Sequence, residues 1–319
     1  MSALLEVGRL RVSFPGPRGP MYPVDGVSFS LQRGETLALV SESGSGKTLT
    51  GLSLLRLMPP GGAIDPVSSI LLDGRPLLTL EPEPLRQLRG KRIAMVFQDP
   101  MSSLNPVLTV GDQISETIRA HLPVSKKEAR ARAEALLAEV GIPDPAHRFG
   151  SYPHQLSGGM RQRVMIAIAL SAEPELLIAD EPTSALDVTV QAQILELLDR
   201  LRAAHGMAIL LITHDLGIVA GRADRVAVIY AGRIVEQAST AQLFARPAHP
   251  YTRGLFASIP RLTGPRQRLM PIPGMVPSPA DWPTGCRFRS RCPQAMAQCV
   301  NEPPERIVGP EHVSRCWLG

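Results

Sequence analysis

The sequence predicts an α/β fold: a mostly parallel sheet, a helical insertion and a Pro- and Cys-rich C-terminal extension. Three observations predict it. The apolar run at 37–40 feeds a Gly-rich turn and then a helix-prone stretch opening on Lys47-Thr48. From residue 175 to 237, short apolar runs alternate with helical patterns, the signature of a largely parallel sheet covered on both faces. After about Ala245 prolines crowd residues 247–283, and all four cysteines fall within the last 34 residues.

The elements follow in order. Strands are expected at 4–14, 24–31 and 36–40, and the helix after the Gly-rich turn runs to about Leu57. Pro59-Pro60-Gly61-Gly62 ends that helix. Residues 70–74 read as a strand and turn, and 92–97 as the next strand. Helices follow at 108–120 and 125–140. The second starts at Ser125 with Glu128 three residues on, a capping box. Residues 98–156 are therefore a helical insertion. Beyond it come strand 175–179, helix 188–204, strand 207–213, a short helix from Asp215, and strands 225–230 and 232–237. The Pro-rich stretch cannot form a long helix and is expected to drape over a surface. Domain boundaries are expected at 1–246, with a helical subdomain at about 99–170, and at 247–319.

Composition removes several function classes. With 319 residues, a net charge of +5 and 44% hydrophobic content, the chain can build one large domain and a smaller one. Basic side chains are scattered among acids without an aromatic-interleaved stripe, which argues against nucleic acid. The N-terminal residues carry no signal-peptide pattern, and no apolar run approaches the ~20 residues that span a bilayer. Any membrane role must come through a partner.

The motifs carry phosphate chemistry. In Ser41-Glu42-Ser43-Gly44-Ser45-Gly46-Lys47-Thr48 the glycines let backbone N–H groups turn inward around an anion. Lys47 can reach the β/γ-phosphates, and the Thr48 hydroxyl can bind Mg²⁺. Ser41 stands where the full pattern has Gly. At 176–181 an apolar run ends in Asp180-Glu181. The first carboxylate is placed to hold Mg²⁺ through water and the second to orient or deprotonate a nucleophilic water. Between the two motifs lies Ser157-Gly158-Gly159-Met160. Ser157 is a good N-cap, and the glycines bare the first-turn amides as a second anion site.

On these residues the chain resembles the ATP-binding cassette family, the nucleotide-binding subunits of ABC transporters, over roughly residues 4–260. The resemblance implies a P-loop ABC ATPase core that binds ATP and Mg²⁺. It implies that Gln98 is the Q-loop glutamine, sensing nucleotide and touching Mg²⁺, that Ser184–Asp187 is the D-loop, and that His214 is the switch histidine at the γ-phosphate. Phe14 sits where the family carries an adenine-stacking aromatic, with Tyr22 as a second candidate. Met160 replaces the usual signature Gln.

Cys286, Cys292, Cys299 and Cys316 are spaced C-x5-C-x6-C-x16-C. In a reducing compartment they suit a tetrahedral Zn²⁺ or a four-iron cluster, although the spacing matches neither a zinc ribbon nor a ferredoxin run. Arg287, Arg289 and Arg291 are expected to favour thiolates. The stretch from His249 to Cys316 resembles the C-terminal extension of oligopeptide and dipeptide importer ATPases, with nickel importers as near relatives. That resemblance implies a [4Fe-4S] cluster on the four cysteines, with Zn²⁺ the alternative.

The expected function is ATP hydrolysis energising import of oligopeptides or dipeptides, with a nickel importer ATPase as an alternative. The expected site is the cytoplasmic face of the inner membrane. The expected partners are a second ABC ATPase subunit, two transmembrane permease subunits and, indirectly, an extracytoplasmic substrate-binding protein. Each ATP would lie between one chain's P-loop and the other's Ser157–Gly159 segment. The rivals are a soluble ABC ATPase for DNA repair or the ribosome and a non-hydrolysing redox sensor. The insertion is short for the DNA-repair type, the chain holds a single cassette, and Glu181 and His214 are intact.

Overall fold

The computed structural model describes residues 3–184, 186–258 and 271–318. The chain divides into two compact units, residues 1–78 with 211–319, and residues 79–210. The first unit opens with β1 (Leu5–Phe14), β2 (Met21–Leu31), β3 (Thr36–Val40), α1 (Lys47–Leu54), β4 (Ala63–Ile64), β5 (Ser69–Leu72) and β6 (Arg75–Pro76). The second unit holds α2 (Pro82–Leu88), β7 (Ile93–Val96), α3 (Pro100–Ser103), α4 (Val110–His121), α5 (Lys126–Glu139) and α6 (Pro145–Arg148). It continues through α7 (Gly158–Leu170), β8 (Leu176–Asp180), α8 (Val188–His205) and the start of β9 (Ala208–Thr213). The chain then completes the first unit with α9 (Leu216–Val219), β10 (Arg225–Tyr230), β11 (Arg233–Ser239), α10 (Thr240–Ala245), α11 (Pro250–Ala257), β12 (Glu305–Gly309) and β13 (His312–Arg315).

The first unit contains an antiparallel sheet in the order β2-β1-β5-β6, with β4 also on β1. Along β1, Leu5, Val7, Leu10 and Val12 are buried between more exposed neighbours, as a strand with one covered face requires. Its other strands run β12-β13-β11-β10-β3, with the end of β9 beside β3. β10 and β3 pair in parallel from Arg225 opposite Leu37 to Val228 opposite Val40. Every residue of β3 is buried, so the strand reads as a continuous apolar run. Its core gathers Val40, Val228, Tyr230, Tyr251, Leu255 and Phe288.

In the second unit β7 and β8 pair in parallel, Ile93 opposite Leu176 through Val96 opposite Ala179, and both strands are fully buried. The helical insertion is present as α3 to α6. The Ser125–Glu128 capping box at the head of α5 is formed in both directions.

Two features depart from expectation. β1, β2, β4, β5 and β6 build a separate antiparallel sheet, because β1 pairs with β2, β4 and β5, while β3 between them in sequence joins the parallel ladder beside β10. The extension does more than drape: α11 packs Tyr251 and Leu255 into the core, and β13 pairs with β11. His249 caps α11 and Pro250 occupies its first turn, where a missing N–H costs nothing. Residues 259–270 of the Pro-rich stretch lie outside the described residues. No described helix is long and apolar enough to cross a membrane.

Candidate functional site

In the first unit, β3 delivers the chain into the turn 41–46, and α1 begins at Lys47. Gly44 and Gly46 adopt φ of 80° and 97°. A Cβ on Gly46 would lie 2.4 Å from the Pro23 carbonyl oxygen, so only glycine fits there. Lys47 is 5% exposed. Its Nζ donates to the Ser41 carbonyl at 2.7 Å, the Ser41 Oγ at 2.9 Å and the Glu42 carbonyl at 3.1 Å. The ammonium is thereby held inside the loop, where an anion would meet it. The Ser41 hydroxyl, fully buried, also bonds Ser45 Oγ. Ser41 is thus a built part of the loop. Ser43, Gly44 and Thr48 are exposed.

Glu42 is held at three points. Its N–H donates to Tyr251 Oη at 2.9 Å, and its carbonyl accepts from Ser45 Oγ at 2.8 Å. Its carboxylate accepts a fork from Arg291, at 2.7 and 3.0 Å. The motif reading did not find Tyr251 and Arg291. No local signal marks them, since Arg291 lies 249 residues from its partner.

Phe14 ends β1, half-buried, and its ring lies against Gly62. Tyr22 carries the Arg11 guanidinium 3.7 Å above its ring, which occupies one face. His214 follows β9 and is exposed, and the next residue, Asp215, caps α9.

In the second unit, β8 ends at Asp180, which is 2% exposed. Glu181 sits at φ of 44°, a left-handed conformation rare for a non-glycine residue and common where a turn presents a functional side chain. Gln98 Nε2 donates to Glu181 Oε2 at 3.1 Å, and Ser184 Oγ donates to the Gln98 carbonyl at 3.1 Å. Gln98 and Glu181 are therefore brought together. Asp187 caps α8 by accepting from the Val190 amide at 3.0 Å. Ala185, between Ser184 and Asp187, lies outside the described residues. Ser157 caps α7 at the Met160 amide, and Ser157 and Gly158 are exposed. A Cβ on Gly159 would come within 2.7 Å of Val190 Cγ1, so glycine permits the close approach of α7 to α8.

The four cysteines line one small cavity of the first unit together with His249 and Trp317. None is in a disulfide. The Met296 and Leu318 amides each donate to a cysteine sulfur, Cys299 and Cys316, at 3.5 Å. Burial pushes the Cys286 thiol up to about 11, with the other three cysteines adding to the shift. The expected thiolate-favouring role of Arg287 and Arg291 is corrected here. Arg287 is turned to Asp25 and the Ala231 carbonyl, and Arg291 to Glu42. Among the described residues, no group of three or more His, Cys, Asp or Glu side chains is placed to hold a metal ion.

Comparison with known proteins fits this geometry. Residues 24–184 match the family model described as ABC transporter. Residues 235–299 match the oligopeptide/dipeptide transporter C-terminal region. The oligopeptide transport ATP-binding protein AppD of Bacillus subtilis is 50% identical over 319 residues, covering 100% of this chain and 97% of that protein. The dipeptide transport ATP-binding protein DppD of the same organism is 49% identical, covering 100% and 95%. The probable D,D-dipeptide transport ATP-binding protein DdpD of Escherichia coli is 47% identical, covering 98% and 96%. Among solved structures, cbiO1 of Clostridium perfringens aligns with a TM-score of 0.65 at 29% identity, covering 77% of this chain and 92% of that one. The dimeric bacterial ABC transporter cassette MJ0796 aligns at 0.64 and 26% identity, covering 74% and 98%.

Proposed function

The chain belongs to the ABC transporter family of ATP-binding subunits, and from that premise we propose that it hydrolyses ATP to drive import of oligopeptides or dipeptides through a membrane permease. The observation that carries the cargo is identity at about half of all positions, over the whole chain, to oligopeptide and dipeptide transport ATP-binding proteins. The Lys47 cradle and the Gln98–Glu181 pair support the chemistry.

The roles follow from side-chain chemistry. Lys47 and the amides of the loop bind the β/γ-phosphates, with Ser41, Glu42, Ser43, Gly44, Ser45 and Gly46 shaping the cradle. Thr48, Gln98 and Asp180 would hold Mg²⁺, which would supply positive charge to offset that developing on the phosphates. Glu181 takes a proton from water as its oxygen bonds to the γ-phosphorus. The bond to the β-bridging oxygen breaks, leaving ADP and phosphate. Gln98, hydrogen-bonded to Glu181, orients that carboxylate. His214 donates to the γ-phosphate, and Phe14 stacks on adenine, a role favoured over Tyr22 because Arg11 covers one Tyr22 face. Ser157, Gly158 and Gly159 serve the nucleotide held by a second cassette, with Asp187 at the same junction. The subunit works at the cytoplasmic face of the membrane, docked on two permease subunits fed by a substrate-binding protein. Closure and hydrolysis switch the permease.

Cys286, Cys292, Cys299 and Cys316 would hold a [4Fe-4S] cluster. Four thiols on one cavity, two of them accepting amide N–H groups, support this. A cluster offers a separate iron to each thiolate, so its ligands need not converge on one point as they would around zinc. Its contribution is to tie the extension together.

Proteoliposomes carrying the subunit, its permease and its binding protein test the function. ATP-dependent uptake of labelled di- or oligopeptide, lost in Lys47→Ala, is expected. Peptide-independent hydrolysis without uptake would overturn the cargo assignment.

A further inference from the structure

We infer that Arg291 is a positioning residue for the phosphate-binding loop, reaching it from the cysteine-bearing extension and neutralising Glu42. Glu42 is a carboxylate inside a loop built to receive polyphosphate. Left uncompensated, its charge opposes the ligand. The Arg291 side chain is 4% exposed and meets that carboxylate with a two-bonded fork at 2.7 and 3.0 Å. Its Nε donates to the Pro273 carbonyl at 2.8 Å, and a terminal nitrogen to the Gly274 carbonyl at 3.2 Å. The guanidinium is therefore fixed by the Pro-rich backbone on one side and grips the loop on the other. A planar fork is suited to this bidentate task.

The clasp acts where it matters for Lys47. The Glu42 carbonyl accepts from Lys47 Nζ, and the Glu42 amide is pinned to Tyr251 Oη. Fixing the Glu42 side chain thus fixes the backbone that presents the lysine. A second strut runs in parallel. Arg287, beside Cys286, bonds the Ala231 carbonyl, and the next amide, Gly232 N–H, donates to the Ser45 carbonyl at 3.0 Å. Two arginines next to two cysteines thus brace opposite ends of one loop, so the folding of the extension sets the affinity of the cradle.

This inference rests on the P-loop being the ATP site. Its test is a double-mutant cycle on the full-length protein, purified anaerobically and titrated with a fluorescent ATP analogue. Arg291→Met should weaken binding about tenfold or more, with kcat at saturating ATP changed far less than KM, because an unpaired carboxylate is then left in the phosphate-binding loop. Arg291→Lys, which keeps the charge but not the fork, should recover part of the loss. In the Glu42→Gln background, Arg291→Met should cost less than about threefold, since no charge is left to neutralise. Equal losses in both backgrounds, or Arg291→Met binding like wild type, would overturn the inference. Where Arg291→Met fails to fold, Arg291→Lys in the two backgrounds gives the same comparison: a loss that vanishes with Glu42→Gln supports the clasp, and an equal loss refutes it. Wild-type protein that binds no analogue would instead defeat the ATP-site reading.

Discussion

Ser41 shows how a departure from a motif can be absorbed. Its hydroxyl fills the space a glycine would leave, bonding Lys47 Nζ at 2.9 Å while the Ser41 carbonyl bonds the same nitrogen at 2.7 Å. Removing the hydroxyl still leaves Lys47 bonded to the Ser41 and Glu42 carbonyls. Ser41→Gly should therefore shift ATP affinity by less than about tenfold, measured by nucleotide titration; a larger shift would give the hydroxyl a direct part in binding. At this scale the candidate positions could be named from the sequence. Gly46, Lys47, Asp180 and Glu181 sit in contiguous stretches whose residue types state their chemistry. Arg291 was not legible, because a basic residue beside cysteines suggests thiolate stabilisation, and only the tertiary fold turns it to Glu42.

At the scale of elements, Gly159 carries a structural demand in addition to any ligand role. A methyl group there would press on Val190 Cγ1, so Gly159→Ala should destabilise the α7–α8 packing by about 1–3 kcal/mol, seen as a lower thermal midpoint. An unchanged midpoint would show that Val190 can yield. Elements written in local pattern were readable: β10 (Arg225–Tyr230) matches the expected 225–230, and Ser125 and Glu128 announced α5. What local pattern cannot encode is pairing. The β1–β5 ladder joins residues about sixty positions apart, and β13 reaches β11 across the Pro-rich stretch. Helix α11 was hidden by the surrounding prolines, although His249-Pro250 is a cap followed by a first-turn proline.

At the scale of the whole molecule, the extension is part of the fold that carries the phosphate loop. His249 is a deeply buried titratable link in it, accepting from the Tyr251 amide at 3.1 Å. Burial, with Arg253 nearby, pushes it down from 6.5 to about 3. The folded chain therefore holds it neutral while the unfolded chain takes up a proton below about 6.5. Stability is full above that pH and declines as pH falls from 6.5 toward 3. Asn at this position can still cap α11 but does not titrate, so His249→Asn should flatten this part of the pH–stability curve. An identical slope in the variant would place the acid sensitivity elsewhere. The central claim, that this chain hydrolyses ATP with Glu181 as the base, is tested most directly by measuring ATP binding and turnover of Glu181→Gln in the assembled transporter. The account predicts ATP binding retained and turnover reduced by about 10²- to 10⁴-fold; turnover at the wild-type rate would contradict it.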